Sequence, residues 1–204
     1  MTDADAPSRA DATRARLLAA AAEAFAERGF HGTTTRDIAA AAGMSPAAVY
    51  VHYKSKEQLL HQLSVHGHQL IIDLIDSVDD PSVPPADRLH AVIYAFTCHH
   101  AAQHTSARVV NYELEAMTEE HRAQVGEQRR EITRRIRAIV DAGVADGSFD
   151  TVEPRLTTTA LLSSGIDIAR WYHDGGDITP TDIGGYYADL ALRTVGAAHS
   201  RRRT

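Results

Sequence analysis

The stretch TTTRDIAAAAGMSPAAVYVHYKSKEQLL, residues 33–60, decides how the chain is read. Thr34 and Asp37 stand in the T-x-x-D spacing of a capping box, so a helix is expected to begin after Thr34. Gly43 is placed to stop it, because glycine turns the chain at positive φ without steric cost. Ser45 then caps a second short helix, with Pro46 at its first position, where a missing N–H costs nothing. That helix is expected to reach about His52. Ser55 opens a third, and Gln58 three residues on completes another box. Lys54 and Lys56 are the only lysines in a chain with 21 basic residues.

Working outward, residues 9–28 predict a first helix with Leu17, Leu18, Ala21 and Phe25 on one face and Gly29 as its stop. Two short helices joined by A-G-M-S have the spacing of a helix-turn-helix. Ile38, Ala39, Ala42 and Val49 are expected to pack this pair against Phe25 and Leu18. The alanines keep the unit small enough for its second helix to enter a major groove. The helix after Ser55 runs long, to about Val78. A three-proline loop at 79–88 follows, then helices over about 87–104, 106–116, 119–146, 155–175 and 180–198. Apolar residues recur at spacings of three and four and never alternate, so the fold class is all-α with about nine helices. The expected division is a disordered arm at 1–8, a helix-turn-helix head at 9–56, a helical body at 57–198, and a basic tail at 199–204.

Composition narrows the function. The formal net charge is -6, which argues against general nucleic-acid binding, but the charge is uneven. Ser8 to His61 holds seven basic against five acidic residues, and Gln62 to Thr204 holds 14 against 20. Only the N-terminal quarter can approach a polyanion without strong repulsion. No apolar run is long enough for a membrane span, and the polar N-terminus does not read as a secretory signal. One cysteine, Cys98, excludes an internal disulfide framework and fits a reducing, cytoplasmic setting.

The pattern T-T-T-R-D-I-A-x-A-A-G-M-S-x-x-x-V-Y-x-H-Y-x-S-K-E-x-L, within a match over about residues 13–61, resembles the N-terminal domain of the TetR family of transcriptional regulators. The resemblance implies a homodimer that binds double-stranded operator DNA with its heads, residues 9–56. It implies dimerisation and binding of a small-molecule effector for the bodies, residues 57–198. Carried over by position, Thr35 and Arg36 open the helix that meets the DNA backbone and groove edge. Ser45, Pro46, Ala47 and Ala48 begin the recognition helix. Tyr50 and Lys56 become phosphate contacts, and His52 a phosphate or base contact. Pro46, Ala47, Ala48 and Val51 cannot form a bidentate bond to a base, so Arg36 is the candidate for guanine readout. Each residue also has a plainer reading: Tyr50 as packing against the next helix, Arg36 as a surface ion pair, Lys54 as a solvated charge.

Residues 140–195, including G-I-D-I-A-R-W-Y-H-D-G-G-D-I-T-P, resemble more loosely the members that regulate steroid, fatty-acid or aromatic catabolism, several of which respond to acyl-CoA thioesters. That resemblance implies a partly apolar, partly anionic effector. Arg170 would meet its anionic group, with Trp171 and Tyr172 as aromatic walls or, alternatively, as dimer anchors. Tyr94, Phe96, His99, Tyr112 and Met117 are further pocket candidates. In RREITRRIR, residues 129–137, the isoleucines are expected to point inward and the arginines outward, with a phosphate contact as the alternative. Leu161, Gly165, Ile168, Ala169, Ile183, Tyr187, Leu190, Ala191 and Thr194 are the expected dimer interface, their small residues allowing close helix approach. No cofactor and no metal are expected. His100 and His104 have a chelating spacing but no carboxylate or second cysteine nearby. No Gly-rich phosphate loop or nucleophile motif supports an enzyme. The remaining alternative is a dimeric small-molecule-binding protein with no DNA role.

Overall fold

A computed structural model describes residues 8–197; the expected N-terminal arm (apart from Ser8) and basic tail lie outside the described residues. Nine α-helices and no strand occur among the described residues. In chain order these are α1 (Arg9–Gly32), α2 (Thr35–Ala41), α3 (Pro46–His52), α4 (Lys56–Val78), α5 (Pro85–Ala102), α6 (His104–Tyr112), α7 (Glu119–Ala145), α8 (Pro154–Trp171) and α9 (Pro180–Thr194). A single 3₁₀ turn, Leu114–Ala116, joins α6 to α7. No helix among the described residues is long and apolar enough to cross a membrane.

The local signals act as expected, with one exception. Thr34 and Asp37 form a reciprocal capping box at α2. Gly43 takes φ 66 and Gly29 φ 70, and Gly29 breaks α1 one turn before its end. Ser45 Oγ accepts the Ala48 N–H, with Pro46 in the first turn of α3. At α4, Ser55 caps through the Gln58 N–H, but the Gln58 carbonyl oxygen reaches past Ser55 to the Lys54 N–H at 2.7 Å. The second box is therefore absent, and the contact steadies the turn instead.

Two main cores form. One packs Leu17, Ala21, Phe25, Ile38, Ala39, Ala42, Val49 and Leu60 together and extends into Val109 and Val110 of α6, Met117, and Val125 of α7. The apolar interior of the head thus continues past residue 56 into the body. The other joins α4, α5, α7, α8 and α9 around Phe96, Ile136 and Ile139.

Glycines set the closest helix approaches in the body. A Cβ on Gly165 of α8 would lie 2.7 Å from the Phe96 ring, and one on Gly184 of α9 would lie 3.0 Å from the Tyr94 ring. The small residues of α8 and α9 therefore serve packing within the subunit. The residues expected at the dimer interface fall into two groups by their exposure in the single chain. Leu161, Gly165, Ile168, Ala169, Ile183 and Ala191 are buried inside the single chain. Tyr187 and Leu190 are half-buried, and Thr194 is exposed. An apolar stripe on a helix shows that a partner exists but not which one, and here α5 covers the inner face of α9.

Candidate DNA interface and effector cavity

Pro46 and Ala47 are exposed at the start of α3, and Val51 is 79% exposed. Ala48 is half-buried, and Val49 turns inward, fully buried. Helix α3 thus presents small apolar groups outward and holds itself by one central anchor. Tyr50 is exposed, and its hydroxyl lies 3.0 Å from Thr35 Oγ1. That bond ties the end of α3 to the start of α2. Arg36 is exposed beside it and forms no ion pair among the described residues. Its guanidinium is free to reach away from the protein. His52 is half-buried.

Lys56 does not continue the row of Tyr50 and His52. Its ammonium donates to the carbonyl oxygens of Phe30 at 2.6 Å and Thr33 at 2.7 Å, and sits 4.1 Å from the Phe30 ring centroid. The chain break at Gly29 leaves carbonyls without helical partners, and Lys56 supplies donors to them. Two of its three N–H groups are committed in this way, so it braces α1 against α4. Lys54 is exposed. Arg16 plays a matching part at the end of α2, donating to the Ala42 carbonyl at 2.7 Å.

Further contacts join the head to the body. Glu57 Oε1 accepts the Thr118 N–H at 3.1 Å and meets His121 Nδ1 at 2.7 Å, where α7 begins. The His121 ring stacks on His61 at 3.7 Å. Arg108 of α6 donates to the Ala26 carbonyl of α1.

A cavity of about 1200 Å³ opens between α1, α4, α5, α6, α7 and α8. Of the pocket candidates, Phe96 and His99 line it. The others lie elsewhere. Met117 is buried in the head's core, and Tyr94 packs on Gly184. Tyr172 packs against α5 and α9 and meets the His104 ring edge-on, while Trp171 is half exposed at the end of α8. Tyr112 and Arg170 line a separate cleft of about 660 Å³ between α1, α6 and α8. There Tyr112 donates to Asp167 at 3.2 Å, and Arg170 pairs with the same carboxylate at 3.5 Å.

Besides His99, polar side chains that the sequence reading did not select for a pocket also line the cavity. His68 of α4 and His100 of α5 are buried, and burial holds both imidazoles down at about 4, hence neutral at pH 7. Each ring turns Nδ1 to a carbonyl of its own helix, Ser64 and Phe96 respectively, at 2.8 Å. A neutral imidazole facing a carbonyl must carry its proton there, so both Nε2 atoms are acceptors. Arg129 of α7 also lines the cavity. Its Nη1 donates to Asn111 Oδ1 at 2.9 Å and approaches His68 Nε2 at 3.5 Å. Burial pulls this guanidinium below its ordinary pKa. The sequence expectation for the arginines of 129–137 is therefore wrong at this position. Arg129 falls three residues before Ile132 and shares its inward stripe, which is the signal that marks it.

His100 and His104 do not converge. Their Nδ1 atoms face the Phe96 and Ala101 carbonyls. No group of three or more potential ligands that could hold a metal is present among the described residues. Cys98 is half-buried, and burial raises its thiol pKa, which makes it a poor nucleophile.

Comparison with known proteins agrees with this architecture. Residues 17–63 match the family model "Bacterial regulatory proteins, tetR family", and residues 82–195 match "Tetracyclin repressor-like, C-terminal domain". The chain is 32% identical over 197 residues to the HTH-type transcriptional repressor KstR2 of Mycolicibacterium smegmatis, covering 92% of this chain and 93% of that protein. A solved tetR-family regulatory protein from Rhodococcus RHA1 superposes with TM-score 0.88 at 40% identity, covering 95% of this chain and 100% of that one. AibR, solved with isovaleryl coenzyme A and operator DNA, shares the fold at TM-score 0.80 and 22% identity, covering 91% of this chain and all of that one. The chain belongs to the TetR family, whose members are transcriptional regulators and not enzymes.

Proposed function

We propose that this protein is a homodimeric repressor that leaves a palindromic operator when an effector fills the cavity. The observation that carries the reading is the position of the cavity. Leu18 and Ala22 of α1, Tyr53, Leu63 and Val110 are packed into the head's core and also line the space. Whatever occupies the cavity touches the head directly. Two heads bound to successive major-groove sites need a spacing of about one helical turn, roughly 34 Å. An effector that favours another spacing lowers operator affinity through its differential affinity for the two states.

On the DNA side, Arg36 reads a base, and the Thr35–Tyr50 pair together with Ser45 and His52 meets phosphates. Pro46, Ala47 and Ala48 fit closely in the groove and contact thymine methyls. The dimer forms through the outer faces of α8 and α9, where Leu156, Tyr186 and Trp171 are exposed. The effector combines an apolar body with an anionic group, the class that includes acyl-CoA thioesters and lipid, steroid or aromatic catabolites. The repressor name of the KstR2 relative and the coenzyme A thioester in AibR support this reading.

Gel-shift titration of the purified protein on its own upstream DNA tests it. Operator binding in the nanomolar range, with steep salt dependence, is expected, as is release by a lipid or acyl-CoA compound. Binding that no such compound weakens would remove the effector half of the proposal.

A further inference from the structure

The inner end of the cavity holds a positive charge without a counter-charge. Arg129 has Asn111 and His68 as its polar partners among the described residues, and neither is an anion. The acidic residue lining the cavity, Asp11, pairs with Arg14 on α1 at 3.2 Å. A guanidinium drawn out of water without a carboxylate is costly, and its removal from water is compensated only by an anion that arrives with a ligand. His100 adds a second observation. It is 3% exposed and lines the cavity, its Nδ1–H is committed to Phe96, and its Nε2 has no hydrogen-bond partner among the described residues. A half-buried donor and an acceptor on a buried ring therefore line the same space. Phe96, Val110, Ile132 and Leu162 supply apolar lining to the same cavity.

We propose that this end of the cavity is a carboxylate subsite, in which Arg129 pairs with a terminal carboxylate on an apolar ligand and Asn111 orients the guanidinium. On binding, His100 Nε2 takes up one proton from solvent and donates it to the second carboxylate oxygen, so the group facing Arg129 stays an anion. The ligand class is an apolar acid, or a thioester whose acyl part ends in its own carboxylate. This inference rests on the reading of the cavity as the effector site and adds the chemistry of its inner end.

Calorimetric titration of the full-length protein with decanoate, decan-1-ol and coenzyme A separates the possibilities. Decanoate is expected to bind the native protein. Arg129→Met is expected to weaken it by about tenfold or more, as for loss of a charge-assisted pair, with Arg129→Lys between the two. Decan-1-ol should bind the native protein and Arg129→Met alike. Arg129→Met should melt at or above the native temperature, since it removes a half-buried charge that has no carboxylate partner among the described residues. Asn111→Asp provides a second arm: it places a carboxylate against Arg129 within the chain, and decanoate should lose affinity as it does on Arg129→Met.

Decanoate affinity unchanged in both variants would overturn the proposal, as would no decanoate binding at all. Arg129-dependent binding of coenzyme A, without such binding of decanoate, would assign the site to phosphate and equally overturn it. These titrations contain no DNA. A protein that binds decanoate through Arg129 but shifts no operator would refute the repressor reading and leave the subsite standing.

Discussion

Arg36 and Arg129 are the same residue in opposite settings. Arg36 stands in water on the recognition face, with no ion-pair partner among the described residues and little energetic cost. Arg129 stands inside the body, also without a carboxylate, where burial lowers its pKa. In the proposed function each charge meets an anion, Arg36 on DNA and Arg129 on a small molecule. The difference shows where each function is held. On the head's surface a side chain can serve DNA without touching stability. Around the cavity, ligand chemistry and folding share the same atoms.

Substitutions can break or sharpen this contrast. The largest effect on folding is expected from Gly165→Leu, which drives a side chain into the Phe96 ring. Overpacking of this kind costs about 1–3 kcal/mol or more, read as a lower denaturation midpoint together with a lost cavity. Next, Arg36→Ala should weaken operator binding by about 1–3 kcal/mol and relax preference at one base pair. Its melting temperature should stay level, since exposed substitutions usually remain within about 0.5 kcal/mol. A large drop in melting would break the comparison. Lys56→Met follows: loss of two carbonyl bonds at the α1–α4 joint should destabilise the head by about 1–2 kcal/mol. The salt slope of DNA binding should stay nearly unchanged, whereas a phosphate contact would make it shallower by about one unit.

A further test uses pH. His68 and His100 titrate at about 4 in the folded protein and near 6.5 when unfolded. Between those values the unfolded chain binds more protons, so stability falls as pH drops from about 6.5 to 4 and these two residues add nothing further below that. Replacing His100 by Phe should flatten this slope, as measured by urea denaturation across that range. The smallest effect is expected from Tyr50→Phe, which loses the bond to Thr35 and one phosphate contact and should cost operator affinity about 1 kcal/mol.

The head was legible in the sequence because its signals are local. A capping box at Thr34–Asp37, a left-handed glycine at 43 and a Ser-Pro start at 45–46 each act within four residues. The contacts of Lys56 with Phe30 and Thr33 were not legible, because those partners are more than twenty residues away. The body was legible as helices but not as surfaces. The stripe of Ile183, Tyr187 and Ala191 reads the same whether α5 or a second subunit covers it. The cavity was the least legible, because it is bounded by six helices far apart in sequence. Phe96 and His99 were picked out among its lining residues; Arg129 left a trace by sharing the stripe of Ile132 and Ile136, but the run of arginines around it hid that spacing.

The continuity between the head's core and the cavity wall bears on how such regulators diversify. Val110, Tyr53 and Leu63 are shared property: a change that suits a new effector also changes the packing beneath the recognition helix. Effector preference and operator affinity are therefore inherited together. A chimera cut at residue 56 would set Phe25 against a foreign α6, whereas one that carries Val109 and Val110 along with the head would keep its original seat.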